Sequence, residues 1–282
     1  VNSEGLLIDN IPILIISETD SNLLPWKALD IDVVIESTGR FRTKELLQKH
    51  INAGAKKVVL TSPAKSGDVP LVVLGVNEHT VDFANEIFIS NASCTTNCLA
   101  PIIKVLDDNY GVEQCFMTTI HSFTNDQKLV DAPHIDKRRG RSASINIVPT
   151  TTGAAKAVGK VIPHLQGLID GIAVRVPTAN GSLTDIVCQL KKEVTIKEVN
   201  TLFSEVAKYH LKNILEFSDE PLVSTDIISN PHSSIVDASL TRVNKKTVKV
   251  CSWYDNEWGY SNRLIDLLEL INKSIHQKTK TL

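Results

Sequence analysis

The chain has 282 residues, a formal net charge of −2, 42% hydrophobic and 22% charged residues. That composition excludes a disordered chain and allows one large domain or two ordinary ones. The near-neutral charge gives no global handle for nucleic acid or an anionic membrane. No apolar run approaches the roughly 18 residues needed to span a bilayer.

The opening "VNSEGLLIDN" lacks the basic and apolar regions of a secretory signal. "DVVIES" then reads as a buried strand ending in "TG". "TKELLQKHINAG" reads as a helix, with Thr43 as N-cap and Gly54 near its end. "KKVVLTSP" and "PLVVLGVN" read as two more strands, and strand–helix–strand order predicts a parallel α/β sheet. After Cys94 strands outnumber helices: "CFMTTIHSF", "GIAVRVPT", "LTDIVCQLKK" and "TVKVCSWYD" are strand-like. "TTTGAAKAVGKVI" and "TIKEVNTLFSEVAKYH" are helix-like, so an α+β domain with an antiparallel sheet is predicted. "YSNRLIDLLELINKSI" reads as a final amphipathic helix capped by Ser261 or Asn262.

The five cysteines, Cys94, Cys98, Cys115, Cys188 and Cys251, are odd in number and sparse. That argues against a disulfide scaffold and for a reducing compartment, and no second Cys or His pair follows at zinc spacing, so no metal site is expected. Cys94 lies in "ISNASCTTNCLAP" (89–101), where a strand-like run stops and a helix-like run begins. A thiol at a helix N-terminus meets unpaired N–H groups that favour the thiolate. A buried structural cysteine is the competing reading. Pro101 predicts that this helix is kinked or short.

A nucleophilic thiol wants a base, and His121 in "TTIHSFTND" ends a strand-like run. The competing reading is a hydrogen-bonded structural histidine. "DKRRGRSAS" clusters Lys137, Arg138, Arg139 and Arg141. It reads as a solvated loop, a nucleic-acid contact or a small-anion site. "PTTTGAAK" favours the anion, because hydroxyls and Gly153 stand directly ahead of a helix. Arg175, within "AVRVPTAN", is either paired or lines a site.

Together "ISNASCTTNCLAP", "TTIHSFTNDQ", "RRGRSA", "VPTTTGAAKAVGKVIP", "VRVPTAN", "NPHSSIVDA" and "SWYDNEWGYSNR" closely resemble the phosphorylating glyceraldehyde-3-phosphate dehydrogenases, over essentially the whole chain. "TNDQ" and "RRGR" look like the bacterial and plastid branch. The resemblance implies an α/β Rossmann-type NAD-binding domain plus an α+β catalytic domain. The expected boundaries are 1–93 for the cofactor part, 94–258 for the catalytic domain, and 259–282 for a helix packing back on the cofactor part.

The resemblance also implies that Cys94 attacks the aldehyde and His121 handles the proton. A thioester then forms and inorganic phosphate cleaves it. Ser93, Thr95, Arg139, Thr152 and Gly153 match positions near the attacking phosphate and the substrate. Thr124 and Arg175 match the site for the substrate's own phosphate. Thr38, Ser62, Asn256 and Tyr260 match positions that touch the dinucleotide. NAD is the implied cofactor, with NADP as the alternative. A homotetramer in the cytoplasm or a plastid is implied, with no nucleic-acid or membrane partner.

The sequence contains no G-x-G-x-x-G loop, the family's pyrophosphate cradle. It is therefore expected to be either part of a longer enzyme or a truncated chain with a damaged cofactor half. "NSEGLLIDNIPILIISETD" resembles the family's hairpin region after the first βαβ units. Two alternatives stand beside the dehydrogenase: an erythrose-4-phosphate dehydrogenase, and a non-dehydrogenase acting as thiol esterase, acyl-phosphatase or inert subunit.

Overall fold

The computed structural model describes residues 5–66 and 68–279. The chain begins with a hairpin of β1 (Leu6–Ile8) and β2 (Ile11–Ile13). Its two-residue turn, Asp9 and Asn10, has φ of 51° and 64°, the backbone twist that tight hairpins need. Residues 2–4 of the expected hairpin region lie outside the described residues. Next come β3 (Val33–Glu36), α1 (Lys44–Asn52), β4 (Lys57–Leu60) and β5 (Phe88–Ser90). The three strands form one parallel sheet in the order β3-β4-β5.

"PLVVLGVN" does not form the strand its apolar run predicts. Only Leu71 bridges to Ser90, and the chain then turns. Asn77 drives the turn: its Oδ1 accepts from the Val73 amide at 2.8 Å and its Nδ2 donates to the Leu71 carbonyl at 2.8 Å. Local side-chain bonds of this kind compete with ladder formation.

The helix α2 (Cys94–Tyr110) runs for 17 residues through Pro101, so of the two expectations, kinked or short, the short helix is not formed. Its buried face, including Leu99, Ile102, Ile103 and Leu106, supplies apolar contact that offsets the bond lost at the proline. The strands β6 (Val112–Ser122) and β7 (Val148–Thr151), the helix α3 (Ala154–Val161), and β8 (Ile169–Val176) and β9 (Ser182–Leu190) follow. The helix α4 (Ile196–Lys208) carries a capping box between Thr195 and Glu198. The remaining strands are β10 (Leu215–Ser218), β11 (Ser234–Asp237), β12 (Arg242–Asn244) and β13 (Thr247–Tyr254).

These strands build one eight-stranded sheet along β10-β11-β13-β9-β6-β8-β7, with β12 beside β13. Most pairs are antiparallel, as expected, but β6–β8 and β10–β11 are parallel. Alternation decides the two faces. Cys115, Met117, Thr119 and His121 of β6 face α2 and α3 and are buried, whereas Phe116 on the opposite face is 63% exposed.

The final helix, α5 (Trp258–Thr279), starts three residues before the expected cap at Ser261 or Asn262. The Asp255 carboxylate accepts from the amides of Glu257 and Trp258 at 2.9 and 2.8 Å and so begins the helix earlier. Leu267 and Ile271 of α5 are buried against Val59, Val72, Leu74 and Ile89, so this helix closes one face of the parallel sheet.

Candidate active site

Cys94 is the first residue of α2, and Ser93 is the N-cap. The Ser93 hydroxyl accepts from the Thr96 amide at 3.2 Å and shares a 2.7 Å hydrogen bond with the Thr96 hydroxyl. The turn into this cap is strained, because Ala92 adopts a left-handed φ of 56°. Two groups hold it: Tyr260 of α5 donates to the Ala92 carbonyl at 3.2 Å, and the Ala92 amide donates to Ser90 Oγ at 3.2 Å.

His121, near the end of β6, places its Nε2 3.5 Å from the Cys94 Sγ. Its other nitrogen, Nδ1, lies 2.7 Å from the Ser122 carbonyl and 2.7 Å from Nη1 of Arg175. Parallel pairing of β6 with β8 puts His121 and Arg175 in register. Nδ1 either donates to Ser122 or accepts from Arg175. Only the first arrangement leaves Nε2 free to receive the thiol proton. Arg175 also donates to the Ser122 carbonyl at 2.9 Å and to the Thr124 hydroxyl at 3.5 Å.

Burial, reinforced by the charge of Arg175, lowers His121 to a pKa of about 4, so its imidazole is neutral at physiological pH. Burial pushes the Cys94 thiol up, and Arg175 pulls against that shift without cancelling it. The resting site therefore holds a neutral thiol beside a neutral imidazole. The helix terminus alone does not produce the thiolate that the sequence predicts.

Thr95 hydrogen-bonds the Cys94 thiol and also enters a hydroxyl cluster. Its Oγ1 lies 3.0 Å from the Tyr254 hydroxyl, which lies 2.8 Å from the Thr119 Oγ1. The Tyr254 ring meets His121 edge-on at 5.9 Å. Sequence reasoning passed over Tyr254 and Thr119. The only signal was an aromatic residue within "SWYDNEW".

Asn256 is a clamp between three segments. Its Oδ1 accepts from Ser122 Oγ and Ser182 Oγ at 2.9 Å each and from the Gly181 amide at 3.2 Å. Gly181 has φ of 88°, and a Cβ there would lie 2.6 Å from the Ser224 carbonyl oxygen, so this segment requires glycine.

Arg139 is held by its own set of partners, and its charge is felt at Arg175. Its guanidinium pairs with Asp126, donates to Thr150 Oγ1 at 3.0 Å and donates to the Thr151 carbonyl at 3.1 Å. Gly153 is the N-cap of α3, and the Thr152 hydroxyl accepts from the Ala154 amide at 3.2 Å. A Cβ at Gly153 would meet nothing within 4 Å, so the space above this helix start is open.

Among the positions matched to a dinucleotide, Ser62 has a buried Oγ without a hydrogen-bond partner, which suits a ligand. Thr38 donates its amide and hydroxyl to Glu36 and borders a cavity of about 420 Å³. Asn256 keeps its Nδ2 pointed at Glu257 Oε1, 3.1 Å away. Thr38 and Ser62 each follow the C-terminal end of a parallel strand, β3 and β4, where α/β sheets bind ligands.

A helix-start thiol, a neutral imidazole and an arginine, on an α/β chain, suit covalent chemistry on a carbonyl next to an anionic group. Residues 93–256 match the family model described as glyceraldehyde 3-phosphate dehydrogenase, C-terminal domain. The chain is 52% identical to glyceraldehyde-3-phosphate dehydrogenase 2 of Bacillus subtilis (strain 168) over 266 residues, 94% of this chain and 78% of that protein. It is 54% identical to the glyceraldehyde-3-phosphate dehydrogenase of Mycobacterium avium over 252 residues, 89% of this chain and 74% of that protein. The Mycobacterium leprae counterpart is 53% identical over the same lengths. The chain belongs to the glyceraldehyde-3-phosphate dehydrogenase family, a family of nicotinamide-dependent oxidoreductases. Among the described residues, no helix is long and apolar enough to cross a membrane.

Proposed function

We propose that the chain oxidises and phosphorylates glyceraldehyde 3-phosphate to 1,3-bisphosphoglycerate through a thioester on Cys94. The observation that carries this reading is the 3.5 Å approach of Cys94 Sγ to His121 Nε2 at the start of α2, with Arg175 beside both. Cys94 gives its proton to His121 Nε2 as its sulfur bonds the aldehyde carbon, and His121 returns that proton to the former carbonyl oxygen, forming a hemithioacetal. A nicotinamide held by Thr38, Ser62, Asn256 and Tyr260 would supply the acceptor for the hydride of that carbon. His121 takes the hydroxyl proton, leaving a thioester. Inorganic phosphate then attacks the thioester carbonyl, the S–C bond breaks, and the acyl phosphate leaves.

Arg175 and Thr124 bind the substrate phosphate in this reading, and the 3.5 Å contact between them supports it. Ser93, Thr95, Arg139, Thr152 and Gly153 serve the attacking phosphate and the substrate, with Arg139 exchanging Asp126 for the anion. Thr38, Ser62, Asn256 and Tyr260 hold the dinucleotide, taken as NAD rather than NADP. We divide the chain into a cofactor part (1–93), a catalytic domain (94–258) and a closing helix (259–282). Exposed Phe116, Ile172 and Val187 share one sheet face and support a homotetramer. The cytoplasm is the proposed compartment.

The test is reduction of NAD and of NADP with glyceraldehyde 3-phosphate and with erythrose 4-phosphate, each with and without inorganic phosphate. Phosphate-dependent turnover, fastest with glyceraldehyde 3-phosphate and NAD, is expected. A preference for erythrose 4-phosphate, or no turnover by folded protein, overturns the assignment.

A further inference from the structure

Cys115 and Cys188 sit far from Cys94 in function but opposite each other in the sheet. Cys115 lies on β6 and Cys188 on β9, and the antiparallel ladder pairs them directly. The Cys115 amide donates to the Leu168 carbonyl on the β8 side at 2.8 Å. The β9 side of Cys115 is therefore a non-hydrogen-bonded position. At such positions paired side chains approach most closely, with Cα atoms about 4.5 Å apart, within the range a disulfide spans. The two sulfurs lie 2.9 Å apart, and both residues are buried, at 1% and 0% exposure.

Nothing in the proposed reaction uses this pair. It lies on the helix-facing side of the sheet, among Met117, Ile186 and Val248, and both thiols are free. The contact with Cys115, and then burial, raises the Cys188 pKa, so Cys188 resists alkylation while the fold is closed. A cross-link needs only rotation about side-chain bonds, because the strands already hold the two residues in register.

We propose that Cys115 and Cys188 are a second redox site, which a hydroperoxide converts to a cross-strand disulfide independently of Cys94. When local opening of the strands admits the peroxide, one thiol loses its proton and the thiolate attacks the peroxide oxygen; the O–O bond breaks, and the released alkoxide (or hydroxide) takes up that proton, giving a sulfenic acid and an alcohol (or water). The second thiol attacks the sulfenic sulfur, an S–S bond forms, and water leaves. Two thiols are oxidised and one peroxide is reduced.

The closure joins residues 73 apart in sequence and leaves the backbone pairing in place. It ties β6, which carries His121, to β9. A loop of that size, once closed, restricts the unfolded chain and raises Tm by on the order of 5 °C.

The experiment treats the full chain and its Cys94→Ser variant with hydrogen peroxide. The protein is then denatured, remaining thiols are blocked with iodoacetamide, and the digest is read by mass spectrometry. The variant removes the thiol that competes for oxidant. A peptide pair joined through Cys115 and Cys188, in both proteins, is expected. Reduction of the digest with dithiothreitol should return both peptides, and reduction of intact oxidised protein should return the lower Tm. Recovery of Cys115 and Cys188 as alkylated peptides, from peroxide-treated protein that remained folded throughout, overturns the proposal. So does a disulfide confined to Cys94 and Cys98. Turnover plays no part in these readouts, so failure here is distinct from failure of the dehydrogenase assignment.

Discussion

Nη1 of Arg175 lies 2.7 Å from Nδ1 of His121, on strands that hold the two residues in register. The guanidinium thus acts on both reacting groups. It helps keep His121 neutral and works against the burial that raises Cys94. Arg175→Gln removes that charge. We expect the His121 pKa to rise from about 4 and the Cys94 pKa to rise further. Charge-assisted hydrogen bonds contribute about 1.5–3 kcal/mol, so kcat/KM should fall roughly 10- to 100-fold. NMR titration of His121 and the pH dependence of iodoacetamide alkylation at Cys94 check this. Unchanged titration of both groups would contradict it.

Stability should fall on mild acidification. The folded pKa of His121, about 4, lies below its unfolded value of about 6.5, so the unfolded chain binds more protons between those limits. The stabilisation is complete above pH 6.5 and is lost as pH falls to 4, a change on the order of 3 kcal/mol. Glu36 adds to the loss at the acid end. Burial raises its pKa, but hydrogen bonds from His50 and Thr38 outweigh that and leave it lowered. Urea midpoints at pH 7.5 and pH 5 should differ more for the wild type than for His121→Gln. Equal differences would remove His121 as the cause.

Tyr254→Phe deletes the hydroxyl shared by Thr95 and Thr119. Two buried hydroxyls then lose a partner, at a cost of about 1–3 kcal/mol. Thermal unfolding should shift down by several degrees. Activity should fall as well, since Thr95 adjoins Cys94 and the ring braces His121. A variant with wild-type Tm would show that water or a rearranged threonine satisfies the cluster.

Ser93→Ala removes the N-cap of α2 and frees the Thr96 amide. Loss of such a cap costs about 1 kcal/mol. Because Cys94 is the next residue, its alkylation rate should change more than the rate after loss of the Thr195 cap of α4, which is far from the thiol in the chain. Equal changes would mean that the cap serves only stability.

The parts of this site legible in the sequence are those set by local chain geometry. Cys94 stands at a strand-to-helix junction, His121 near a strand end, and Gly153 ahead of a helix, and each is written within about ten residues. The partners that hold them in place come from distant segments. Ser122 meets Asn256 across 134 residues, and Thr95 meets Tyr254 across 159. No local pattern encodes such contacts. The parallel partner of β6 was equally hidden, because a strand's pattern does not specify its neighbour's direction. β10 and β12 are short and carry few apolar residues, so their sequence signal is weak. At 73–77 a single asparagine outweighs an apolar run that reads as a strand.

The central claim is that Cys94 carries the acyl group. The direct measurement mixes the chain with glyceraldehyde 3-phosphate and NAD in the absence of inorganic phosphate, quenches in acid, and weighs the Cys94 peptide. The account predicts a phosphoglyceryl thioester on Cys94 that disappears when phosphate is added and never forms in Cys94→Ser. Turnover without any adduct on Cys94, or an adduct on another residue, would contradict it.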